Sequence, residues 1–205
     1  MSALPNTTFR IFARAPLLAA ALFCGLSTLV SAAEEGKTLY ETQYQGLAMG
    51  TLITARLISP DAKAAQKLEE LVSERVDDYE TLFTVHREGP LYEVNKRSGE
   101  WVEVDCRITE LTEKAKAIAE ASDRAFEPTI GTLVNVWKIG FGGDRVPARS
   151  DIDAALKKVD YTKIETQRED NVCRMRIGKG QSIDLGAIAK GWIGTALTQD
   201  LEAAG

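Results

Sequence analysis

Apolar positions follow two rhythms along the chain, one of two residues and one of three to four. Leu39 to Tyr44 and Thr51 to Ile58 are rich in β-branched residues and partly alternate, which predicts two strands joined through a Gly-rich break at Gly46–Gly50. Pro60-Asp61 then opens a helix in which Ala64, Leu68, Leu71, Val72, Val76, Tyr79, Leu82 and Phe83 form one apolar face. A second helix is predicted from Thr109 to Ser122, with Leu111, Ala115, Ile118 and Ala119 inward. Gly140 to Pro147 is a loop, and Ser150-Asp-Ile-Asp153 has the form of a capping box opening a short helix. Val172 to Ile177 and Ser182 to Leu185 alternate as strands, and an amphipathic helix runs from Ile188 to Ala203. No repeat or low-complexity linker interrupts this order. The fold class is α+β, with strands and helices interleaved.

The first 33 residues stand apart. Arg10 and Arg14 precede an apolar run from Ala15 to Val30, and Ser31-Ala-Ala33 supplies small residues at its end. This is the form of a cleaved secretory signal, and the run is short for a retained anchor. Phe23 before Cys24 is bulky where a lipoprotein signal places a small residue, and no twin-arginine pair precedes the run. The expected boundaries are therefore a signal peptide at 1–33 and one domain at 34–205, in a periplasmic protein.

Composition narrows the function by exclusion. The chain is 44% hydrophobic and 27% charged, which excludes a disordered or fibrous protein. Its 25 basic residues are outnumbered by 30 acidic ones and form no stripe, so nucleic acid is not the expected partner. Cleavage would remove two arginines and no acid, making the mature chain more acidic still. Cys106 and Cys173 remain after cleavage; the even count permits a disulfide without establishing one. No C-x-x-C or His/Cys cluster supports zinc or thioredoxin-type chemistry.

Three stretches carry candidate chemistry. In Ala48-Met-Gly-Thr51, the glycine permits positive φ and the methionine offers a soft face to a flat ring; the other reading is a hairpin turn with a core methionine. Ala125-Phe-Glu-Pro-Thr-Ile-Gly131, leading to Trp137, combines aromatic, acid and turn before an apolar helix, as a pocket wall would; Phe126 and Trp137 also suit a core. In Ser182-Ile-Asp-Leu-Gly-Ala-Ile-Ala-Lys-Gly191, a strand passes through Asp184 into a helix holding Lys190. Helix-start amides and a lysine suit a phosphate, while the plainer alternative makes Asp184 a cap and Lys190 a solvated charge.

Taken in this order, the three stretches resemble the FAD:protein FMN transferases, the ApbE-like family of exported flavin transferases with a T-fold-related domain. The resemblance rests on Met49-Gly50-Thr51, Ala125-Phe126-Glu127 with Gly131 to Trp137, and Asp184 to Gly191. It runs from about Gly46 to Gly205. It implies transfer of FMN from FAD to a Thr or Ser hydroxyl of a partner protein, with Mg²⁺, releasing AMP. By the same resemblance Met49, Ala125, Phe126, Glu127 and Asp184 bind FAD, and Ala187 offers its backbone carbonyl to the metal. The acceptors it implies are flavoproteins of membrane respiratory complexes, which would place the chain near the inner membrane.

Some positions depart from the family pattern. Glu127 stands where the family usually has Asp, and Val85 where it has a flavin-contacting Tyr. His86, next to Val85, is either a substitute flavin contact or a structural residue. The family's proposed general base is a His in its second half, accompanied there by an Asp and a Thr for Mg²⁺. The expectation is an ApbE-like domain incomplete at the C-terminus, with its catalytic base outside these residues. The alternative function is a periplasmic FAD carrier without transferase activity.

Overall fold

The structure is a computed structural model that describes residues 38–139 and 145–204. The signal-peptide segment and most of the Gly140–Pro147 loop lie outside the described residues. Strands β1 (Tyr40–Ala48) and β2 (Thr51–Ser59) form an antiparallel hairpin with Ala48 opposite Thr51. The predicted Gly46–Gly50 break narrows to a two-residue turn, and Gly46 is an ordinary strand residue opposite Ile53. Met49 (φ 51°) and Gly50 (φ 68°) make that turn, both at the positive φ that a type I′ connection requires.

Helix α1 (Ala62–Phe83) follows, with Asp61 as N-cap accepting from the amides of Lys63 and Ala64. At 1.5 Å per residue its 22 residues span about 33 Å, enough to serve two hydrophobic cores. Leu68, Val72 and Val76 pack with Ala48 and Leu57 beneath the hairpin. Tyr79, Leu82 and Phe83 enter the main core with Leu91, Ile108, Leu111, Met175, Ile183 and Leu185. Met49 packs against both clusters.

Short elements build the rest of the main core: α2 (Pro90–Lys96), β3 (Val102–Val104), α3 (Cys106–Ala121), α4 (Gly131–Trp137), α5 (Arg149–Leu156), β4 (Glu165–Glu169), β5 (Val172–Arg176) and α6 (Gly186–Ala204). The second sheet is antiparallel in the order β3-β5-β4. Helix α3 begins three residues before the predicted Thr109, because Asp105 caps it through the Arg107 amide. Ile118, expected inward, is exposed, bordering the groove between α3 and α6 with Leu111 and Ile188. Ser150 and Asp153 form no capping box: α5 starts at Arg149 without a side-chain cap, and Asp153 instead pairs with Arg149 one turn away.

Ser182 to Leu185 is not a strand. Its alternation is real, since Ile183 and Leu185 are fully buried, but its only ladder contact is an isolated bridge from Ser182 to Ile130. Other groups satisfy its backbone. The Ser182 amide donates to Thr132 Oγ1 at 3.0 Å, and the Asp184 amide to the Pro128 carbonyl at 2.8 Å. Asn95 Oδ1 accepts from the Ile183 amide at 2.7 Å, and Asn95 Nδ2 donates back to the Ile183 carbonyl at 2.9 Å.

Cys106 and Cys173 are disulfide-bonded, with Cα atoms 5.1 Å apart across a separation of 67 residues. The bond ties the start of α3 to the central strand of the sheet. A closed loop of that length restricts the unfolded chain by about 4 kcal/mol in the chain-entropy account. Reduction, or the double substitution Cys106→Ala with Cys173→Ala, should lower stability by about 2–4 kcal/mol in urea unfolding. An unchanged midpoint would refute this.

Beside the disulfide, Arg107 donates to both Asp105 oxygens and to Asp78, and lies over the Tyr79 ring. The side-chain hydrogen bond from Arg107 holds the Asp105 carboxyl below its usual range, helped by the Arg107 amide and opposed by burial. A depressed carboxylate stabilises the fold above its unfolded pKa, about 3.9, and loses that contribution as pH falls through the lower folded value. Asp105→Ala should therefore cost about 1 kcal/mol at neutral pH, with solvent screening keeping the loss modest. The difference from wild type should shrink below about pH 4; a gap that stays constant to pH 2 would contradict the assignment.

Candidate functional site

Asp184 is the point where three cavities meet. The first, of about 340 Å³, lies between the hairpin turn and α6. Its walls include Met49, Glu80, His86, Arg87, Asp184 and Lys190. The second, of about 550 Å³, lies on the other side of Gly186 and is lined by Ala125, Phe126, Glu127, Ile130, Asp184 and Ala187. A larger cleft of about 730 Å³ opens between α2, α4 and α5. All are of the size that takes small ligands. The six positions singled out in the sequence thus border two adjoining cavities, although Met49 and Ala187 are 138 positions apart in the chain.

The turn that presents Met49 is held from α1. The Met49 amide donates to Glu80 Oε1 at 2.9 Å, while Glu80 Oε2 pairs with Arg87 at 3.1 Å. One carboxylate therefore spans the cavity floor and fixes both rims. A non-glycine residue in left-handed backbone costs roughly 1–2 kcal/mol. Glycine would suit the turn better, so the thioether side chain is what this position supplies. Met49 is thus a hairpin-turn residue packed on both cores, and it also lines a cavity.

Glu127 has a different role from its neighbours. Its side chain is 8% exposed, and both oxygens are engaged. Oε1 accepts from the Thr129 amide and hydroxyl at 3.1 and 2.7 Å; Oε2 accepts from the Tyr161 amide at 3.2 Å and from Arg124 at 3.3 Å. The Thr129 hydroxyl in turn accepts from the Asp160 amide. Glu127 braces the wall, leaving Ala125, Phe126 and its own stem as the cavity surface. Phe126 also packs on the main core. Trp137 ends α4 more than a third exposed and borders none of these three cavities.

Asp184 does serve as a cap. Its Oδ1 accepts the Gly186 amide at 2.8 Å, at the start of α6. The amides of Ile188 and Ala189 both go to the Leu185 carbonyl, and that of Ala187 has no protein partner among the described residues. Lys190 lies one turn on, exposed, its ammonium reaching the Gly186 carbonyl at 3.5 Å. A free amide and a cation at a helix start suit an anionic ligand. Val85 packs on the main core, and His86 stands at the rim between the Met49 cavity and the large cleft. Glu80 and Asn95 were not singled out in the sequence, since neither belongs to a local motif.

Mg²⁺ requires near-octahedral oxygen ligation. Among the described residues no three His, Cys, Asp or Glu side chains converge as a metal site. Ala187 offers one carbonyl, and Asp184 has one oxygen already given to Gly186. These residues do not by themselves fit the ion.

Comparison with known proteins places this arrangement in a family. A model described as the ApbE family matches residues 49–205, and the chain belongs to that family. It is 35% identical over 153 residues to an FAD:protein FMN transferase of Klebsiella pneumoniae, covering 73% of this chain and 46% of that protein. A Treponema pallidum protein of the same name is 32% identical over 165 residues, covering 77% and 45%. The crystal structure of the ApbE protein of Thermotoga maritima superposes with TM-score 0.70 at 29% identity, over 80% of this chain and 53% of that one. The apo flavinyl transferase ApbE of Pseudomonas stutzeri, at 23% identity and TM-score 0.69, shares the fold. The chain spans about half the length of the curated relatives it matches.

One wall of the large cleft depends on a close approach between Gly131 and Ser182. A Cβ on Gly131 would lie 2.7 Å from the Ser182 carbonyl oxygen and 3.0 Å from its hydroxyl. Helix propensity alone would make Gly131→Ala stabilising by up to about 1 kcal/mol. The clash reverses the sign, and a net loss of about 1–3 kcal/mol is expected. A raised melting temperature for Gly131→Ala would show that Ser182 can yield.

Proposed function

We propose that this chain carries the FAD-binding face of an FAD:protein FMN transferase. In the reaction, a Thr or Ser hydroxyl of a partner flavoprotein attacks the FMN phosphorus of FAD. The P–O bond to the AMP phosphate breaks, AMP leaves, and the hydroxyl proton passes to a base. The observation that carries the reading is the convergence of Met49, Phe126, Asp184 and Ala187 on adjoining cavities around the start of α6.

In this assignment Met49 lies against the flavin, Ala125 and Phe126 close the opposite wall, and the Ala187 amide with Lys190 faces the phosphates. Glu80, Glu127 and Asn95 hold these walls in place. Mg²⁺, when bound, would neutralise charge on the transferring phosphoryl group. The described residues do not complete its shell. A positioned base is worth about 10²–10⁴-fold, and this reading assigns none of the described residues to that task. Asp184 caps α6, and His86 belongs to the flavin-side rim.

The signal-like first 33 residues support export to the periplasm, and the disulfide suits an oxidising compartment. The acceptor in this reading is a flavoprotein of a membrane respiratory complex. Among the described residues no helix is long and apolar enough to cross a membrane.

The chain should quench flavin fluorescence on titration with FAD. A methionine–aromatic contact is worth about 1 kcal/mol, so Met49→Ala should weaken binding roughly fivefold. Asp184→Ala should weaken it as well, with thermal stability followed in parallel because the cap is lost. With FAD, Mg²⁺ and an acceptor, the 205-residue chain should give little or no fluorescent acceptor on a denaturing gel. Identical quenching by wild type and both variants would refute the site, and strong labelling would refute the account of the base and metal.

A further inference from the structure

We propose that Asn95 is a positioning residue for this site. Its side-chain amide, standing in for a neighbouring strand, sets where Asp184 and the start of α6 stand at the junction of the three cavities. The proposal rests on the reading that this junction takes FAD.

Ile183 is fully buried and lies in no strand, with an isolated bridge from the neighbouring Ser182 to Ile130. Its amide and carbonyl therefore need partners other than water. Asn95 supplies both at once, accepting at 2.7 Å and donating at 2.9 Å. A side chain with acceptor and donor on one planar group reproduces the two-bond exchange of an antiparallel strand pair. Ser and Thr lack the planar pair, Asp lacks the donor, and Gln displaces the group by a methylene.

Asn95 is held firmly itself. It follows Val94 on α2, where Leu91 and Val94 are buried in the main core. From that anchor the chain runs one residue to Asp184, whose amide is taken by the Pro128 carbonyl and whose carboxylate caps Gly186. The direction in which α6 leaves, and with it the Ala187 amide and Lys190, follows from the Ile183 pairing. Asn95 also lines the large cleft, so it joins the rigid core to a cavity wall.

The test uses the whole chain as wild type, Asn95→Asp, Asn95→Ala and Val104→Ala. Val104 is a core residue of β3 that borders none of the three cavities, so its substitution reports a loss of stability alone. Amide hydrogen exchange over residues 183–187 and FAD titration by flavin fluorescence are the two readouts. Both Asn95 variants should speed exchange in 183–187 by about tenfold relative to α3 and weaken FAD binding about tenfold, as expected when buried peptide groups lose their partners. Val104→Ala should leave FAD affinity within about twofold of wild type, as a change outside the site would.

Unchanged exchange, unchanged FAD affinity in both Asn95 variants, or equal weakening by Val104→Ala would overturn the proposal. If the wild-type chain binds no FAD, the transferase reading fails separately, and the exchange readout decides. Loosening confined to 183–187 then upholds the hold of Asn95 on Asp184, and unaltered exchange removes it.

Discussion

A fully buried residue outside any strand cannot leave its peptide groups unpaired, and this constraint at Ile183 organises one side of the molecule. Helix α2 must bring Asn95 alongside, α4 must bring Thr132, and the loop before α4 must bring the Pro128 carbonyl. Gln181 extends the arrangement by donating to the carbonyls of Lys158 and Asp160 and accepting the Gly178 amide. Glu127 and Thr129 then bind the same 160–161 corner from the other side. The result is a polar network in which each member fixes another. Among the described residues no buried side-chain nitrogen or oxygen lacks a partner. Such networks specify one arrangement because every alternative strands a polar group in low dielectric.

Two carboxylates beside the cavities show how environment divides chemically similar groups. Glu127 has spent both oxygens on four donors and acts as masonry. Asp184 gives one oxygen to the Gly186 amide and borders every cavity of the site. Glu127 reaches Tyr161 as well as Thr129. Both acids line the second cavity, and their hydrogen bonds distinguish them.

The parts of the fold legible in the sequence were those whose burial repeats at a regular interval. Helix α1, the hairpin, β5 and α6 each expose one face and bury the other over many residues. Strand β3 has three residues, too few for a period to register, and β4 buries almost none of its polar residues. Helix α2 is two turns long and opens on Pro90, which alone does not distinguish a helix start from a turn. At Ser182–Leu185 the period of two reported burial correctly but could not report a missing ladder. Site residues were legible where they lay in short motifs near Met49, Phe126 and Asp184. Glu80 and Asn95 act across 31 and 88 residues, and no local pattern marks a side chain whose partner is that distant.

Helix α1 belongs half to the small cluster under the hairpin and half to the main core, with Met49 and α6 as the other links. Two packing units joined so narrowly need not open together; the hairpin unit, with five buried members, is the weaker foldon. The Met49 cavity lies along that seam, with one wall from each unit. A molecule seated there would act as mortar between them, and its binding free energy would reappear as cooperativity of folding.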